Sequence, residues 1–247
     1  MIITIITLFP EMFQALNYGI TGRAIQKKSL TIECYNPRDY TENPYRKVDD
    51  VPYGGGPGMV MQYEPLKKTI DAIKAKHSKI KTIYLSPQGA PLVQNKFIKL
   101  AEQPQSQYIL LCGRYEGVDQ RLLDTCVDLE YSIGDYVLSG GEIPAMVFID
   151  GITRLLPGVL GDQTSAEQDS FSNGLLEHAQ YTRPSIIDGQ AVPDVLLSGN
   201  HALIQKWRLQ QSLKNTWQKR PDLVKQGSLN KKTQALLNKI IKEQSHE

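Results

Sequence analysis

Alternation between strand-like and helix-like segments is the feature that most constrains the fold of this chain. Short β-branched or apolar runs, typical of buried strands, occupy residues 1–8, 30–35, 80–85 and 108–112. Segments with apolar residues at helical spacing occupy residues 64–76, 93–101, 118–127 and 142–156. Strands that alternate with helices predict an α/β domain with a largely parallel sheet from residue 1 to about residue 156.

Bends that contain glycine are a second feature of this region. S-P-Q-G (86–89) and G-R-Y-E-G (113–117) each follow a predicted strand, and G-D-Y-V-L-S-G-G (134–141) lies beyond the helix at 118–127. Ligands of open α/β sheets bind beside the carboxyl ends of the strands, and glycine lets backbone approach a ligand closely. One such bend equally suits an ordinary turn, whereas three at one edge favour a ligand pocket. We also expect Ser139 and Glu142 to form a capping box that starts the next helix.

The sequence excludes several common kinds of site. It has no G-x-x-x-x-G-K-[ST] loop, no G-x-G-x-x-G between a strand and a helix, and no G-x-S-x-G nucleophile elbow. Its 3 cysteines and 4 histidines are scattered without zinc-ligand spacing, so we expect a reducing cytoplasmic location and no metal site made by protein alone. The longest apolar run, residues 1–9, is too short to span a bilayer and follows no basic leader.

An irregular stretch at residues 36–58 interrupts the alternating pattern. It combines prolines, glycines and charged residues, and its centre, V-P-Y-G-G-G-P-G at 51–58, suits neither a helix nor a regular strand. A long irregular loop inside a compact domain is usually functional or disordered. The apolar residues that follow, at 59–61, favour an ordered functional loop.

The last third of the chain differs from the rest in charge. Of the 28 Lys and Arg residues, 11 lie in residues 175–247 together with 6 of the 26 acidic residues, giving this part a formal charge of +5 and the remainder −3. Helical patterns at 200–217 and 230–241 follow a polar, aperiodic stretch at 157–174, which predicts a linker and a small helical domain. The charge suits a polyanion-binding appendage, and on charge alone a solvated helical surface equally well.

Long motifs give the chain a resemblance to a known family. They are L-F-P-E-M-F (8–13), V-D-D-V-P-Y-G-G-G-P-G-M (48–59), Y-L-S-P-Q-G (84–89), C-G-R-Y-E-G-V-D (112–119), S-I-G-D-Y-V-L-S-G-G-E (132–142) and L-L-S-G-N-H (196–201). Together they resemble the bacterial tRNA (guanine-N1)-methyltransferases of the SPOUT class, over nearly the whole chain. The resemblance implies transfer of a methyl group from S-adenosylmethionine to N1 of the guanosine immediately 3′ to the tRNA anticodon.

The same resemblance implies an architecture. We expect a SPOUT-type α/β domain over residues 1–160, whose parallel sheet carries a deep trefoil knot and binds S-adenosylmethionine. A linker with the catalytic base would occupy residues 161–174, and a small, mainly helical domain that binds the tRNA anticodon stem-loop would occupy residues 175–247. The family also implies a homodimer whose active sites are shared between subunits, and no membrane association.

Catalytic roles are implied for three residues. Guanine N1 carries a proton, so Asp169 is expected to act as general base. Arg154 would stabilise the negative charge that develops on guanine O6, and Glu116 would place a carboxylate near the donor and the target base. Two positions depart from the family pattern: Gln168 stands where an acidic residue is usual, and Glu177 where aspartate is common.

Binding roles follow in the same way. The cofactor-binding residues would be Pro87, Gly113, Tyr115, Glu116, Gly117, Ile133, Gly134, Asp135, Tyr136, Val137, Leu138, Gly140, Gly141 and Pro144. The residues expected to contact tRNA are Arg183, Lys206, Arg208 and Lys214. The family implies that Mg²⁺ supports activity without a dedicated protein site. The glycine-rich loop at 53–58 is a further candidate for contacting RNA or cofactor, or else a structural loop.

Two other functions remain open from the residues. A SPOUT methyltransferase with another RNA target would share the cofactor bends but would not need Asp169 as a base. A catalytically silent RNA-binding protein would keep the basic C-terminal third and lose the acceptor chemistry. Methyl transfer to tRNA with guanosine or adenosine 3′ to the anticodon separates the three.

Overall fold

The computed structural model describes residues 1–77, 79–103, 107–161, 169–226 and 229–244. The chain divides into two compact units, Met1–Gln163 and Thr164–Glu247. The predicted linker, residues 161–174, spans this boundary, and its residues 162–168 lie outside the described residues. The predicted limits of the domains stay predictions.

The first unit is an α/β fold. In chain order its elements are β1 (Ile2–Ile6), α1 (Gly19–Gln26), β2 (Thr31–Tyr35), β3 (Asp49–Asp50), β4 (Val60–Met61), α2 (Tyr63–Lys76), β5 (Lys81–Pro91), α3 (Gln94–Ala101), β6 (Gln107–Leu111), α4 (Gln120–Cys126), β7 (Leu129–Ser132) and α5 (Glu142–Thr153). Short 3₁₀ helices precede α1 and follow β2, at Pro10–Asn17 and Pro37–Tyr40. The strands β2-β1-β6-β5-β7 form one sheet in that order, and every pairing in it is parallel. The predicted α/β domain with a parallel sheet is confirmed.

Hydrophobic residues cover both faces of this sheet. Ile3 and Ile5 of β1 point into one core, which includes Phe148 of α5. Ile6 lies in the other core, together with Leu66 of α2 and Leu122 of α4. A parallel sheet buried on both faces needs continuous apolar strands, as the I-I-T-I-I run of β1 supplies. Because both faces are filled, the ends of the strands are the part of the sheet that can receive a ligand.

The structure differs from the sequence prediction in two places, a strand that was not predicted and a bend that does not end its strand. Residues Leu129–Ser132, which the sequence analysis did not assign to a strand, form β7 and pair with β5. This strand is short and only partly buried, so it lacks the apolar run that marks the others. The bend at 86–89 does not end β5, because Leu85 and Ala90 both pair with Tyr131 and the strand continues to Pro91. Residues 86–89 are therefore an insertion in the strand.

The second unit is mainly helical in the part that the structure describes. Its elements are a two-stranded hairpin of β8 (Ile186–Ile187) and β9 (Gln190–Ala191), followed by α6 (Asp194–Leu197), α7 (His201–Lys219), α8 (Pro221–Gln226) and α9 (Lys231–Gln244). The predicted helices at 200–217 and 230–241 correspond to α7 and α9, whereas the hairpin, α6 and α8 were not predicted. The core of the unit contains Leu175, Leu213, Leu237 and Ile240.

The start of α7 is explained by a cap. The side chain of Asn200 accepts a hydrogen bond from the amide of Leu203 at 3.2 Å, which satisfies one of the free amides of the first turn. Among the described helices of both units, none is long and apolar enough to cross a bilayer.

Candidate functional site

A cavity of about 400 Å³ lies at the carboxyl ends of β5, β6 and β7. Three segments line it, namely 84–88 from β5, 113–117 after β6, and 131–141 from β7 to the start of α5, together with Pro144 of that helix. These segments contain the three bends that the sequence analysis placed at one edge of the sheet. The fold therefore gathers them around one space.

Glycines bring the walls of the cavity into direct contact. The amide of Gly141 donates to the carbonyl oxygen of Gly113 at 2.9 Å. A Cβ atom added to Gly141 would lie 2.7 Å from the Cα of Cys112, a distance that real Cβ atoms do not reach without a backbone shift. The loops after β6 and β7 thus touch through backbone, and a side chain at Gly141 would push them apart.

A buried carboxylate fastens the same two loops. Glu142 is fully buried, and its Oε2 lies 2.9 Å from Nε of Arg114 in an ion pair that lacks hydrogen-bond alignment. Its Oε1 accepts a hydrogen bond from the Thr7 hydroxyl at 2.9 Å. Nη1 of Arg114 also donates to the carbonyl oxygen of Ser139 at 3.2 Å, across the cavity loop. A buried charge needs such partners because desolvation otherwise makes it costly.

The predicted capping box at this position is wrong. Helix α5 begins after Gly141, and no side chain caps it. Glu142 turns into the core toward Arg114 and Thr7 instead of back toward the helix amides. A carboxylate without a counter-charge would be costly at this buried position, which explains its pairing with Arg114.

Glu116 is held by the glycine-rich stretch that precedes β4. Its amide donates to the carbonyl oxygen of Met59 at 2.9 Å, and the amide of Met61 donates to the carbonyl oxygen of Gly117 at 2.9 Å. A Cβ atom on Gly58 would lie 2.4 Å from Oε1 of Glu116. The stretch therefore leaves room for this carboxylate, which is a structural role. A contact of the 53–58 loop with RNA or cofactor stays a prediction.

Two ionisable groups near the cavity stay neutral at physiological pH. Burial, with a smaller contribution from Glu130, raises the pKa of the Tyr84 hydroxyl, which lies beside Gly113. Burial, and then the negative charge of Glu142, raises the pKa of the Cys112 thiol well above its ordinary value. Neither group is therefore suited to act as a base or a nucleophile here.

The structure places most of the predicted cofactor residues together. Thirteen of the fourteen line the cavity, whereas Asp135 is exposed and is not among the lining residues. Asp135 thus stands between two lining residues, Gly134 and Tyr136, without lining the cavity itself. The cofactor-binding roles themselves stay predictions.

Arg154 is not among the residues that line the cavity in its own chain. It follows the last residue of α5, ten residues beyond Pro144, which places it about 15 Å further along the helix axis. Asp169 belongs to the second unit, where its carbonyl oxygen accepts from the amide of Ser172 at 3.2 Å. The structure thus brings Glu116, but not Arg154, to the cavity, and Gln168 lies outside the described residues.

Glu177, which stands where the family commonly has aspartate, also lies in the second unit. Its amide donates to the Ser170 hydroxyl at 3.0 Å, and its Oε1 accepts from Nε2 of Gln180 at 2.5 Å. These bonds give the longer side chain a place within its own unit, close in sequence to Asp169.

Some lining residues were not predicted as cofactor residues. They are Tyr84, Leu85, Ser86, Gln88, Arg114, Tyr131, Ser132 and Ser139. Four of them lie within the predicted bends and Tyr84 and Leu85 adjoin one, so the bends and their neighbours were a usable signal. Tyr131 and Ser132 lie on β7, and the failure to predict that strand hid them.

The predicted RNA-binding residues divide into two pairs. Arg183 and Arg208 line a second cavity, which lies within the second unit, whereas Lys206 and Lys214 of α7 do not line it. Contact of these four residues with RNA stays a prediction. Over the described residues of both units, no three His, Cys, Asp or Glu side chains are grouped so that they could hold a metal ion.

Comparisons with known proteins agree with the motifs. The family described as "tRNA (Guanine-1)-methyltransferase TrmD" matches residues 1–226. A curated protein of Alcanivorax borkumensis is 57% identical over 249 residues, covering 98% of this chain and 93% of the relative. A protein of Aeromonas hydrophila is 55% identical and covers 98% of this chain and 97% of the relative. A protein of Pasteurella multocida is 53% identical and covers 99% of this chain and 100% of the relative. All three relatives are named tRNA (guanine-N(1)-)-methyltransferase.

Proposed function

Because this chain belongs to the tRNA (guanine-1)-methyltransferase family, we propose that it methylates N1 of the guanosine immediately 3′ to the tRNA anticodon, using S-adenosylmethionine. The observation that carries the proposal is the cavity at the carboxyl ends of β5, β6 and β7. It gathers thirteen residues that the family motifs assign to the methyl donor.

The residues around the cavity fit S-adenosylmethionine. Pro144 is buried and Ile133 half-buried, which gives apolar surface, while the glycine backbone at 113, 140 and 141 offers polar groups at close range. The size of about 400 Å³ lies within the roughly 300–1,000 Å³ of small-molecule sites. When bound, the donor supplies a methyl group on a positively charged sulfur, and the exposed carboxylate of Glu116 on the rim complements that charge.

Acceptor chemistry is assigned to two residues outside the cavity. Asp169 removes the proton from guanine N1, which is a poor nucleophile until that proton leaves. The guanidinium of Arg154 then stabilises the negative charge that moves to O6. Removal of the base lowers the rate by about 10²–10⁴-fold, the usual contribution of a positioned proton acceptor.

We extend the proposal to the assembly and the topology. Arg154 stands about 15 Å along α5 from the cavity wall, which supports a homodimer in which a second copy completes each site. The deep trefoil knot, the binding of the anticodon stem-loop by the second unit and the cytoplasmic location belong to the same proposal. Mg²⁺ would support activity without a dedicated protein site, and among the described residues no three His, Cys, Asp or Glu side chains are grouped to hold the ion.

The test is transfer of labelled methyl from S-adenosylmethionine to tRNA transcripts that carry guanosine or adenosine immediately 3′ to the anticodon. We expect label only in the guanosine transcript, located at N1 by nucleoside analysis. Equal label in both transcripts contradicts the proposed target and favours another RNA target, whereas no label in either favours a silent RNA-binding protein.

A further inference from the structure

A cavity of about 520 Å³ lies within the second unit, apart from the residues assigned to methyl transfer. Residues 178–183, the segment from β9 to α6, and the first turns of α7 line it. Leu196 and Ile204 give it apolar surface, and Tyr181 on its wall is 50% exposed. Its size lies within the roughly 300–1,000 Å³ of small-molecule sites.

Aromatic rings are concentrated on one wall of this cavity. The indole of Trp207 lies with its centroid 6.2 Å from the ring of Tyr181 and 6.3 Å from that of His178. Both neighbouring rings are tilted to the indole, at 53° and 60°, so neither stacks flat on it. Such a group of rings offers π-faces to a planar ligand.

The polar groups of the cavity favour an anion. Arg183 and Arg208 line it, and none of its lining residues is Asp or Glu. Nε of Arg208 is buried and has no hydrogen-bond partner among the residues that the structure describes. A buried donor without a partner is costly, so a ligand that accepts a hydrogen bond there removes that cost.

We propose that this cavity receives one unstacked nucleotide of the bound RNA. Its base packs against Trp207, and its phosphate or base edge accepts hydrogen bonds from Arg208 and Arg183. Nucleotides combine a planar π-system with an anionic group, which is the chemistry that this set of side chains complements. The inference rests on the proposed function for the identity of the RNA, and it gives Arg183 and Arg208 a role distinct from that of Lys206 and Lys214.

The distinction is between reading a base and neutralising the backbone. Removal of a lysine that contacts only phosphate lowers the affinity for every RNA by the same factor. A stacking ring acts on RNA that carries bases and has no effect on an abasic backbone. Removal of a stacking ring usually weakens binding by about tenfold or more.

The experiment measures fluorescence anisotropy of labelled single-stranded RNA with the full chain, comparing a hexauridine with an abasic hexamer of the same backbone. We expect the wild type to prefer hexauridine, and Trp207→Ala to abolish that preference. Trp207→Phe, which keeps a ring, retains most of it. Lys206→Ala is the matched control, since it lies one residue away on α7 but outside the cavity, and it weakens both probes equally.

Crosslinking locates the contact. Transcripts of tRNA that contain 4-thiouridine are irradiated with the wild type, and the crosslinked peptides are identified by mass spectrometry. We expect crosslinks in residues 178–183 or 204–208. An unchanged preference in Trp207→Ala, no preference in the wild type, or crosslinks confined to other segments overturns the inference.

The outcome is separable from that of the proposed function. Methyl transfer to guanosine transcripts by a wild type that shows no base preference would leave the function standing and reject the nucleotide site. A base preference that depends on Trp207, in a protein that transfers no methyl group, would reject the function and keep the site.

Discussion

Nε of Arg114 lies 2.9 Å from Oε2 of Glu142, and this buried ion pair joins the loop after β6 to the first turn of α5. Arg114 lines the cavity, whereas Glu142 is the first residue of α5 and lies behind the cavity wall. We therefore expect a change in this pair to alter the cavity that we propose for the methyl donor.

Glu142→Ala is expected to destabilise the protein by about 3 kcal/mol, because Arg114 and Thr7 lose their partner inside the fold. Urea unfolding at pH 7 measures the change, and calorimetry with S-adenosylmethionine should show weaker binding as the loops separate. Glu142→Gln is the control, since it keeps the shape and a partner for Thr7 and should lose less. Equal stability of Glu142→Ala and the wild type would show that the pair is dispensable.

Gly141→Ala is expected to weaken donor binding by tenfold or more, a loss of about 1.4 kcal/mol. The added methyl group would lie 2.7 Å from the Cα of Cys112, so backbone must move. Gly161→Ala is the matched control, because nothing lies within 4 Å of a Cβ atom there. Calorimetric titration compares the two variants, and an unchanged affinity in Gly141→Ala would mean that the loops separate without harm to the site.

Gly58→Ala is expected to lower the rate of methyl transfer by roughly tenfold to a hundredfold, because the added methyl group displaces the carboxylate of Glu116. Gly55→Ala separates this effect from backbone strain. Both glycines have positive φ, +80° and +76°, but nothing lies within 4 Å of a Cβ atom at Gly55. Single-turnover rates with tRNA measure the difference, and similar losses in both variants would point to strain rather than to Glu116.

Asp169→Ala is expected to lower methyl transfer by about 10²–10⁴-fold while donor binding, measured by calorimetry, persists. Asp124→Ala removes an exposed carboxylate from α4 and should leave the rate unchanged. Substantial transfer by Asp169→Ala would exclude this residue as the base. Loss of donor binding in the same variant would instead give it a structural role.

The stability of the fold is expected to fall as the pH rises above about 8.5, the usual pKa of a free thiol. Burial and Glu142 raise the pKa of Cys112 in the folded protein, so the thiol ionises first in the unfolded chain. Below that pH both states hold the proton and the group has no effect. Above it the free energy of unfolding falls by up to about 1.4 kcal/mol per pH unit. Urea unfolding of the wild type and Cys112→Ala from pH 7 to pH 10 should show a flatter slope in the variant.

Much of the first unit was predictable because local pattern and burial agree there. β1 and β6 are apolar runs buried on both faces, so composition alone marks them as strands. β7 has Glu130 at its centre and little burial, and it exists through pairing with β5 rather than through its own sequence. Long-range pairing of that kind leaves little local signal.

The glycine bends that line the candidate site were predictable from the sequence. The side-chain contacts that hold these bends together were not. Glycines at 113, 134 and 141 marked the backbone that forms the walls. The turn of Glu142 into the core depends on Arg114 and Thr7, which are distant in sequence, and the local pattern suggested a helix cap instead. Arg154 and Asp169 carry no local sign of the roles proposed for them, which rest on the family resemblance alone.

The insertion in β5 has a consequence for the design of inhibitors and altered donor sites. Leu85 and Ala90 both pair with Tyr131, so the two ends of the insertion meet the same residue of β7. Ser86, Pro87 and Gln88 line the cavity from this insertion. Substitutions at these three positions therefore change the cavity wall at residues that stand outside the pairing of β5 with β7, which makes this segment a suitable place to alter selectivity for a ligand of the cavity.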